Sequence, residues 1–238
     1  MVELHGFGPV LGLPDPSPFV IKVAHYLRMI DVPYEFCSSN PRKAPKGKLP
    51  FINDSGTVVA DSGFILDYLR KKYKDLDAGM SAQDKALATA VRAMIEEHFY
   101  FVMVAQRWKE DRGFAVLSKA FGGLMKKSGL PGFAVPWVAA LARKQIVSAL
   151  HAQGTGRHTQ QEVETMGIAV LEALSEFLGE KNSFLGDAPR SIDATVFGFL
   201  WLVLETPYEN GVKSFAQTKG NLVAYTQRQK AQYWSDWK

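Results

Sequence analysis

The stretch PKGKLPFINDSGTVVADSGFILDYL, residues 45–69, decides how the first third of this chain is read. Pro50 stands immediately before the short apolar run Phe51-Ile52-Asn53. Asp54-Ser55-Gly56 separates that run from Thr57-Val58-Val59-Ala60, a hairpin signal with glycine in the turn. Asp61-Ser62-Gly63 then opens a helix with Ile65, Leu66 and Leu69 on its apolar face. Arg70, Lys71 and Lys72 supply the positive charge that suits a helix C-terminus.

Upstream, Val2-Glu3-Leu4-His5 alternates apolar and polar residues, so the chain up to Phe7 reads as a strand. The segment GLPDPSPFVIKVAHYLRMIDVPYEF, residues 12–36, is a proline-studded loop leading into a helix that opens on Ser17-Pro18-Phe19-Val20. Phe19, Val23, Leu27 and Ile30 fall at helical spacing, and Pro33 marks the break. Tyr34-Glu35-Phe36-Cys37 reads as a second strand, followed by a polar loop from Asn40 to Lys48. The order is strand, helix, strand, loop, strand, strand, helix. A strand–helix–strand crossover favours a parallel pair, and the hairpin adds an antiparallel strand. The expectation is a mixed four-stranded sheet with helices on its faces.

Lys74 to Ser81 reads as a polar linker, and nearly everything after it reads as helix. The clearest helical stretches are Gln83 to Trp108, Trp137 to Leu150 with Pro136 as first residue, His158 to Leu178, and Ile192 to Leu204. The last is almost wholly apolar and is the expected central helix. The expected division is an α/β domain at 1–74 and an all-α domain at 82–238.

Of the 238 residues, 47% are hydrophobic and 22% charged, the balance of an ordinary globular protein. The net charge of +4 comes without a basic stripe or recognition motif, so nucleic acid is not an expected partner. The longest strongly apolar run, Phe197 to Leu204, falls far short of the ~20 residues that span a bilayer. The start MVELHGFGPV lacks the basic and apolar regions of a signal peptide, so the expected location is the cytosol. Cys37 is the only cysteine, which excludes an intramolecular disulfide. It reads as a buried small apolar residue.

Residues 45–69, the segment from Asp15 to Phe36, and FLGDAPRSIDATVFGFL together resemble the glutathione transferases. Within them, these stretches look like the branch containing metaxins and failed-axon-connections proteins, with relatives in bacteria. The resemblance implies a thioredoxin-like N-terminal domain followed by the helical transferase domain, and it covers the whole chain. It also implies glutathione as co-substrate. A cis Pro50 would leave the backbone of Leu49 free to pair with the cysteinyl part of glutathione. Asp61 and Ser62 would take its γ-glutamyl end, the carboxylate at the helix N-terminus and the ammonium on Asp61. Either residue also suits a helix cap. Lys48 would reach the glycyl carboxylate, or is a solvated lysine among Arg42, Lys43 and Lys46.

Ser17 occupies the place where related redox enzymes carry the first cysteine of a Cys-x-x-Cys motif, and Val20 the place of the second. A dithiol mechanism is therefore excluded. Ser17 would donate a hydrogen bond to the glutathione sulfur and favour its thiolate, the attacking species. Alternatively it is only the N-cap, with Pro18 as first helical residue. Phe7 and Gly8 stand where other classes place a tyrosine donor.

One or two of Trp108, Phe114, Phe121, Met125 and Trp137 are expected in the electrophile pocket. His158 and Glu162, four apart, read as an exposed pair rather than metal ligands, and no metal is expected. Asp193 reads as a cap of the central helix, although Arg190 stands where a capping box would have Ser or Thr. The leading expectation is a serine-type transferase joining glutathione to a small hydrophobic electrophile. A non-catalytic binding or scaffold protein, and a glutathione-dependent dehalogenase or isomerase, are the alternatives. The resemblance also implies a possible homodimer.

Overall fold

The computed structural model of the chain describes residues 1–127 and 131–237, with side chains at all of these except 124–127. Strands β1 (Val2–Gly6), β2 (Tyr34–Ser38), β3 (Phe51–Asp54) and β4 (Thr57–Ala60) form one mixed sheet in the order β2-β1-β3-β4. β1 runs parallel to β2 and antiparallel to β3, so Leu4 faces Phe36 on one side and Ile52 on the other. β4 closes the hairpin against β3, with Ile52 opposite Val59. The period-2 pattern read from the sequence holds: Val2, Leu4 and Ile52 are buried.

Helices α1 (Pro18–Met29) and α2 (Ser62–Lys72) pack against each other as well as against the sheet. Both therefore cover the face that buries Val2, Leu4 and Ile52. This corrects the expectation of helices on both faces. The other face carries half-buried side chains instead, where the His5 ring stacks on Phe51 with centroids 4.0 Å apart. The loop between β2 and β3 contributes only a single turn, Pro41–Lys43, capped by the Asn40 side chain.

After the linker, α3 (Ala82–Ala93) continues without a break through a π-helical stretch, Met94–Phe99, then α4 (Tyr100–Val104), then a second π stretch, Ala105–Lys109. Each π stretch adds a residue per turn and so rotates the following side chains, a device concentrated at functional sites. Five helices follow a first one at Asp111–Lys127 (α5): α6 (Val135–Gln153), α7 (Gln160–Leu178), α8 (Ser191–Glu205), α9 (Gly211–Thr218) and α10 (Gly220–Tyr233). Pro136 is the second residue of α6 rather than its first. α7 begins after His158 because Thr159 and Glu162 form a reciprocal capping box.

α8 is the central helix, with Ile192 through Val203 all buried. Burying Phe197, Phe199 and Trp201 contributes on the order of 1.5–3 kcal/mol each. Its approach to α1 depends on Gly198, since a Cβ there would lie 2.7 Å from the Pro18 carbonyl oxygen. His25 fixes the outer side of α1. Its Nδ1 accepts from Trp234 Nε1 at 2.9 Å and its Nε2 donates to Gln229 Oε1 at 3.0 Å. Burial pushes its pKa down to about 3, so the ring is neutral.

Candidate active site

Ser17 is the N-cap of α1, and its Oγ accepts from the Val20 backbone N–H at 3.4 Å. What holds it is Asp15, a residue the sequence reading did not single out. One Asp15 carboxylate oxygen accepts from the backbone N–H groups of Phe7 at 2.7 Å and Gly8 at 3.0 Å; the other accepts from Ser17 at 2.8 Å. The buried carboxylate thus pins the start of α1 to the end of β1. Gly6 makes room for it, because a Cβ there would lie 2.6 Å from Asp15 Oδ2. Burial pushes the Asp15 pKa up to about 7, against the pull of the three N–H donors and the Arg107 guanidinium. An acid two residues before an N-cap, in Asp-Pro-Ser-Pro, was the available signal.

The Leu49–Pro50 peptide is cis. Leu49 is buried, and its backbone makes no hydrogen bond to another backbone group among the described residues. Such groups are nearly always paired, so this edge is ready for an extended ligand. Asp61 has φ +87°, a conformation that a non-glycine residue holds only at a cost of order 1–3 kcal/mol. It is the N-cap of α2, accepting from Gly63 N–H at 3.0 Å, and its other oxygen meets Lys48 Nζ at 3.3 Å. The gain from Gly63 and Lys48 outweighs burial and holds its carboxyl below the usual range.

Of the two readings of the Asp61-Ser62 pair, capping falls to Asp61. Ser62 is left to a different bond: the buried ammonium of Lys22 donates to Ser62 Oγ at 3.2 Å and to Glu96 Oε1 at 2.6 Å. By spacing Lys22 reads as lying off the apolar stripe of α1, yet it is 1% exposed, because Glu96 and Ser62 meet its ammonium there; Glu96 was not picked out in the sequence.

One cavity of about 460 Å³ gathers these residues: Ser17, Lys48, Leu49, Pro50, Asp61 and Ser62 all line it. The facing wall comes from the helical region and includes Glu96, Tyr100, Arg107, Trp108 and Phe121. Phe7 meets Phe121 edge-on across the two walls, with centroids 6.0 Å apart. Arg107 Nη1 donates to the Pro16 carbonyl at 2.7 Å, which places a guanidinium beside the Ser17 loop. The cavity can therefore hold a short, extended, anionic peptide on one side and an apolar group on the other.

Of the expected pocket aromatics, Trp108 and Phe121 line the cavity. Phe114 packs under Arg143, 4.4 Å from its ring centroid to the guanidinium carbon. Trp137 is 79% exposed on α6 and does not line the cavity. It follows the exposed Phe133 by one helical turn. The Met125 side chain lies outside the described residues. Cys37 is half-buried rather than buried, and burial together with Glu35 and Glu3 pushes its thiol pKa up, the opposite of nucleophile activation. His158 Nδ1 and the Glu162 carboxylate lie 3.7 Å apart at the exposed start of α7. Asp193 caps α8 through its own carboxylate, accepting from Arg190 N–H at 2.8 Å and Phe184 N–H at 3.0 Å. The box is thus one-sided, and Arg190 spends its guanidinium on the Leu76 carbonyl at 2.7 Å.

A larger cleft of about 880 Å³ lies behind α1, between β2 and the C-terminal segment. Two of its charged groups are already bonded: Arg28 to Asp236, Tyr34 and the Tyr233 carbonyl, and Asp15 to the three N–H groups above; Asp31 lines it as well. Among the described residues no helix is long and apolar enough to cross a membrane, and no group of three or more His, Cys, Asp or Glu is placed to hold a metal.

A mixed four-stranded sheet carrying a cis-proline edge, set against a helical domain across a shared cavity, is the architecture of the glutathione transferases. The chain belongs to the glutathione S-transferase family. The family's N-terminal domain matches residues 18–113 and its C-terminal domain residues 167–229. The isoprene-epoxide glutathione S-transferase of Rhodococcus sp. (strain AD45) is 36% identical, over 98% of this chain and 99% of that protein. Failed axon connections of Drosophila melanogaster is 32% identical over the full chain, which spans 59% of that protein's length. Human metaxin-1 is 28% identical over 94% of the chain and 49% of its own length. These relatives place the chain in a metaxin-related branch of the family. Among solved structures, a Ceriporiopsis subvermispora glutathione S-transferase in complex with glutathione shares the fold with a TM-score of 0.68. It is 18% identical and covers 97% of both chains.

Proposed function

We propose that the protein joins glutathione to a small hydrophobic electrophile, with a small alkene epoxide as the favoured class. The observation that carries this reading is the convergence of Ser17, the Leu49–Pro50 edge and the Asp61-Ser62 turn on one cavity with an aromatic facing wall. The epoxide class rests on the isoprene-epoxide relative and on Arg107.

Glutathione would lie extended along Leu49, with its γ-glutamyl carboxylate at the N-terminus of α2, where a helix favours negative charge. Lys48, already turned toward the site by Asp61, would meet the glycyl carboxylate. The thiol would rest at Ser17, whose hydroxyl donates to the sulfur as its proton leaves to solvent. The thiolate then attacks an epoxide carbon, a carbon–sulfur bond forms and the carbon–oxygen bond breaks. The oxygen keeps the electron pair and takes a proton from water. Arg107, beside the Ser17 loop, would stabilise the charge developing on that oxygen, the kind of preorganised contact that lowers a barrier most. Holding both reactants in one cavity supplies much of the remaining acceleration. A cytosolic location and a homodimer belong to the same reading, the latter checked by light scattering.

The test is calorimetric titration with glutathione, then an assay with a small epoxide beside one with 1-chloro-2,4-dinitrobenzene. Saturable binding with epoxide turnover supports the reading, and no binding at millimolar glutathione overturns it. The second reading, a non-catalytic binding or scaffold protein, draws on the metaxin and failed-axon-connections relatives and on the capping bond already made by Ser17. Binding without turnover of either electrophile would favour it. Release of halide from a haloalkane would point to the dehalogenase alternative.

A further inference from the structure

Among the described residues Lys22 is the most deeply buried cation, 1% exposed, and sits on α1 one turn beyond Ser17. Taking an ammonium out of water costs several kcal/mol even after relaxation, so such a group persists only with close partners. Its partners are Glu96 Oε1 at 2.6 Å and Ser62 Oγ at 3.2 Å. Glu96 comes from the first π stretch of the helical region and is steadied by the Thr195 hydroxyl at 3.4 Å. Burial pulls the Lys22 pKa down, and the Glu96 carboxylate, paired with it at 2.6 Å, opposes that pull.

The chemistry of this contact is directional. An ammonium has three donors and no acceptor, whereas a serine hydroxyl has one proton and can rotate it. At Ser62 the oxygen must accept from Lys22, so its proton points elsewhere. Ser62 lines the cavity at the first turn of α2. The hydroxyl is thereby presented to the cavity as a donor, at the helix end where an anion is favoured. A lone serine could turn its oxygen toward a neutral amide or its proton toward a carboxylate. This one is set for the carboxylate.

We propose that Lys22, held by Glu96 of the helical region, is a positioning residue that locks the Ser62 hydroxyl as a donor and so makes the site select a γ-glutamyl carboxylate over its neutral amide. The inference deepens the glutathione reading and rests on it. It also gives the helical region a part in co-substrate selection, through a carboxylate that need not touch the ligand.

The experiment compares two probes by calorimetry: glutathione, and glutathione in which the γ-glutamyl α-carboxylate is a carboxamide. The variants are Lys22→Met/Glu96→Gln, which removes both buried charges together, and Lys22→Gln, whose amide can either donate or accept. Replacing a buried ion pair as a unit leaves a fold intact more often than breaking it. Wild-type protein is expected to prefer glutathione by about tenfold or more, as a hydrogen bond to a charged group is worth ~1.5–3 kcal/mol. In the folded variants that preference is expected to fall to about twofold or less, because it depends on that bond. A merely structural role would weaken both probes alike and leave the preference unchanged, which overturns the inference while sparing the glutathione reading. If the double variant does not fold, the preference in Lys22→Gln decides. Wild-type protein that binds neither probe overturns both.

Discussion

The two walls of the cavity are built by different means. On the sheet side, main-chain geometry does the positioning: a cis peptide at Pro50, a cap at Asp61, a cap at Ser17 and a buried carboxylate that gathers three N–H groups. On the helical side, side chains from a long, twice π-wound helix and from α5 reach in, and the position of each depends on helix packing. The sheet wall suits a ligand of fixed shape, read through backbone and charge. The helical wall suits a partner defined by size and polarity. The contrast fits a protein with one constant co-substrate and one variable one.

Ser17→Ala breaks the sheet wall where the chemistry is proposed, and its expected effect is the largest. Turnover should fall about 100-fold while the glutathione Kd changes by less than about threefold, the signature of a contact made mainly in the transition state. Steady-state kinetics beside calorimetry checks this, and an unchanged kcat would reduce Ser17 to a cap. Arg107→Gln tests the opposite wall. Epoxide turnover should drop about tenfold with glutathione affinity kept, and the aromatic chloride, which leaves no charged oxygen behind, should lose less. Equal losses on both electrophiles would mean that Arg107 serves only to hold the Pro16 carbonyl.

Asp15→Asn asks how the sheet wall is held. The folded-state pKa, pushed up to about 7, lies above the unfolded value, so folding takes up a proton between roughly pH 4 and 7. That contribution is complete below the unfolded pKa and is lost as pH rises through 7. Thermal unfolding followed across this window should show a term of up to about 1.4 kcal/mol per pH unit, falling with pH, that the variant lacks. Burial pushes Glu110 up to about 7 as well, adding to the slope, while neutral His25, pushed down to about 3, works against it below its unfolded pKa. The difference between wild type and Asp15→Asn isolates the one group. Lys48→Ala should have the smallest effect. Lys48 is 65% exposed, and a solvated pair of this kind is worth about 0–1 kcal/mol, so glutathione affinity should weaken by no more than about fivefold at low salt.

The same contrast explains what could be read from the sequence. Pro50 before a strand, Gly56 in a hairpin turn, Asp61-Ser62 and Ser17-Pro18 at helix starts are local signals, because turns and caps are made by neighbours in the chain. Together with the family resemblance that these stretches carry, they made the fold and six of the residues that line the cavity legible. Lys22, read as lying off the apolar stripe of α1, and Asp15 were not, since a charge on a helix or in a loop shows its purpose only when Glu96, or the ends of β1 and α1, arrive from elsewhere. Trp108 and Trp137 look alike in sequence, yet one lines the cavity and the other faces outward on α6. Helical spacing gives a face to each aromatic but not the neighbour that face meets. The two π stretches further shift that register along the one helix that supplies Glu96, Tyr100 and Arg107.

The central claim is that this cavity binds glutathione and holds it as a thiolate at Ser17. Glutathione titrated into the protein at neutral pH, with the ultraviolet absorbance of the thiolate followed, tests that most directly. The account predicts a saturable thiolate band in wild-type protein that Ser17→Ala loses while still binding. Binding with no band, or no binding at millimolar glutathione, would contradict it.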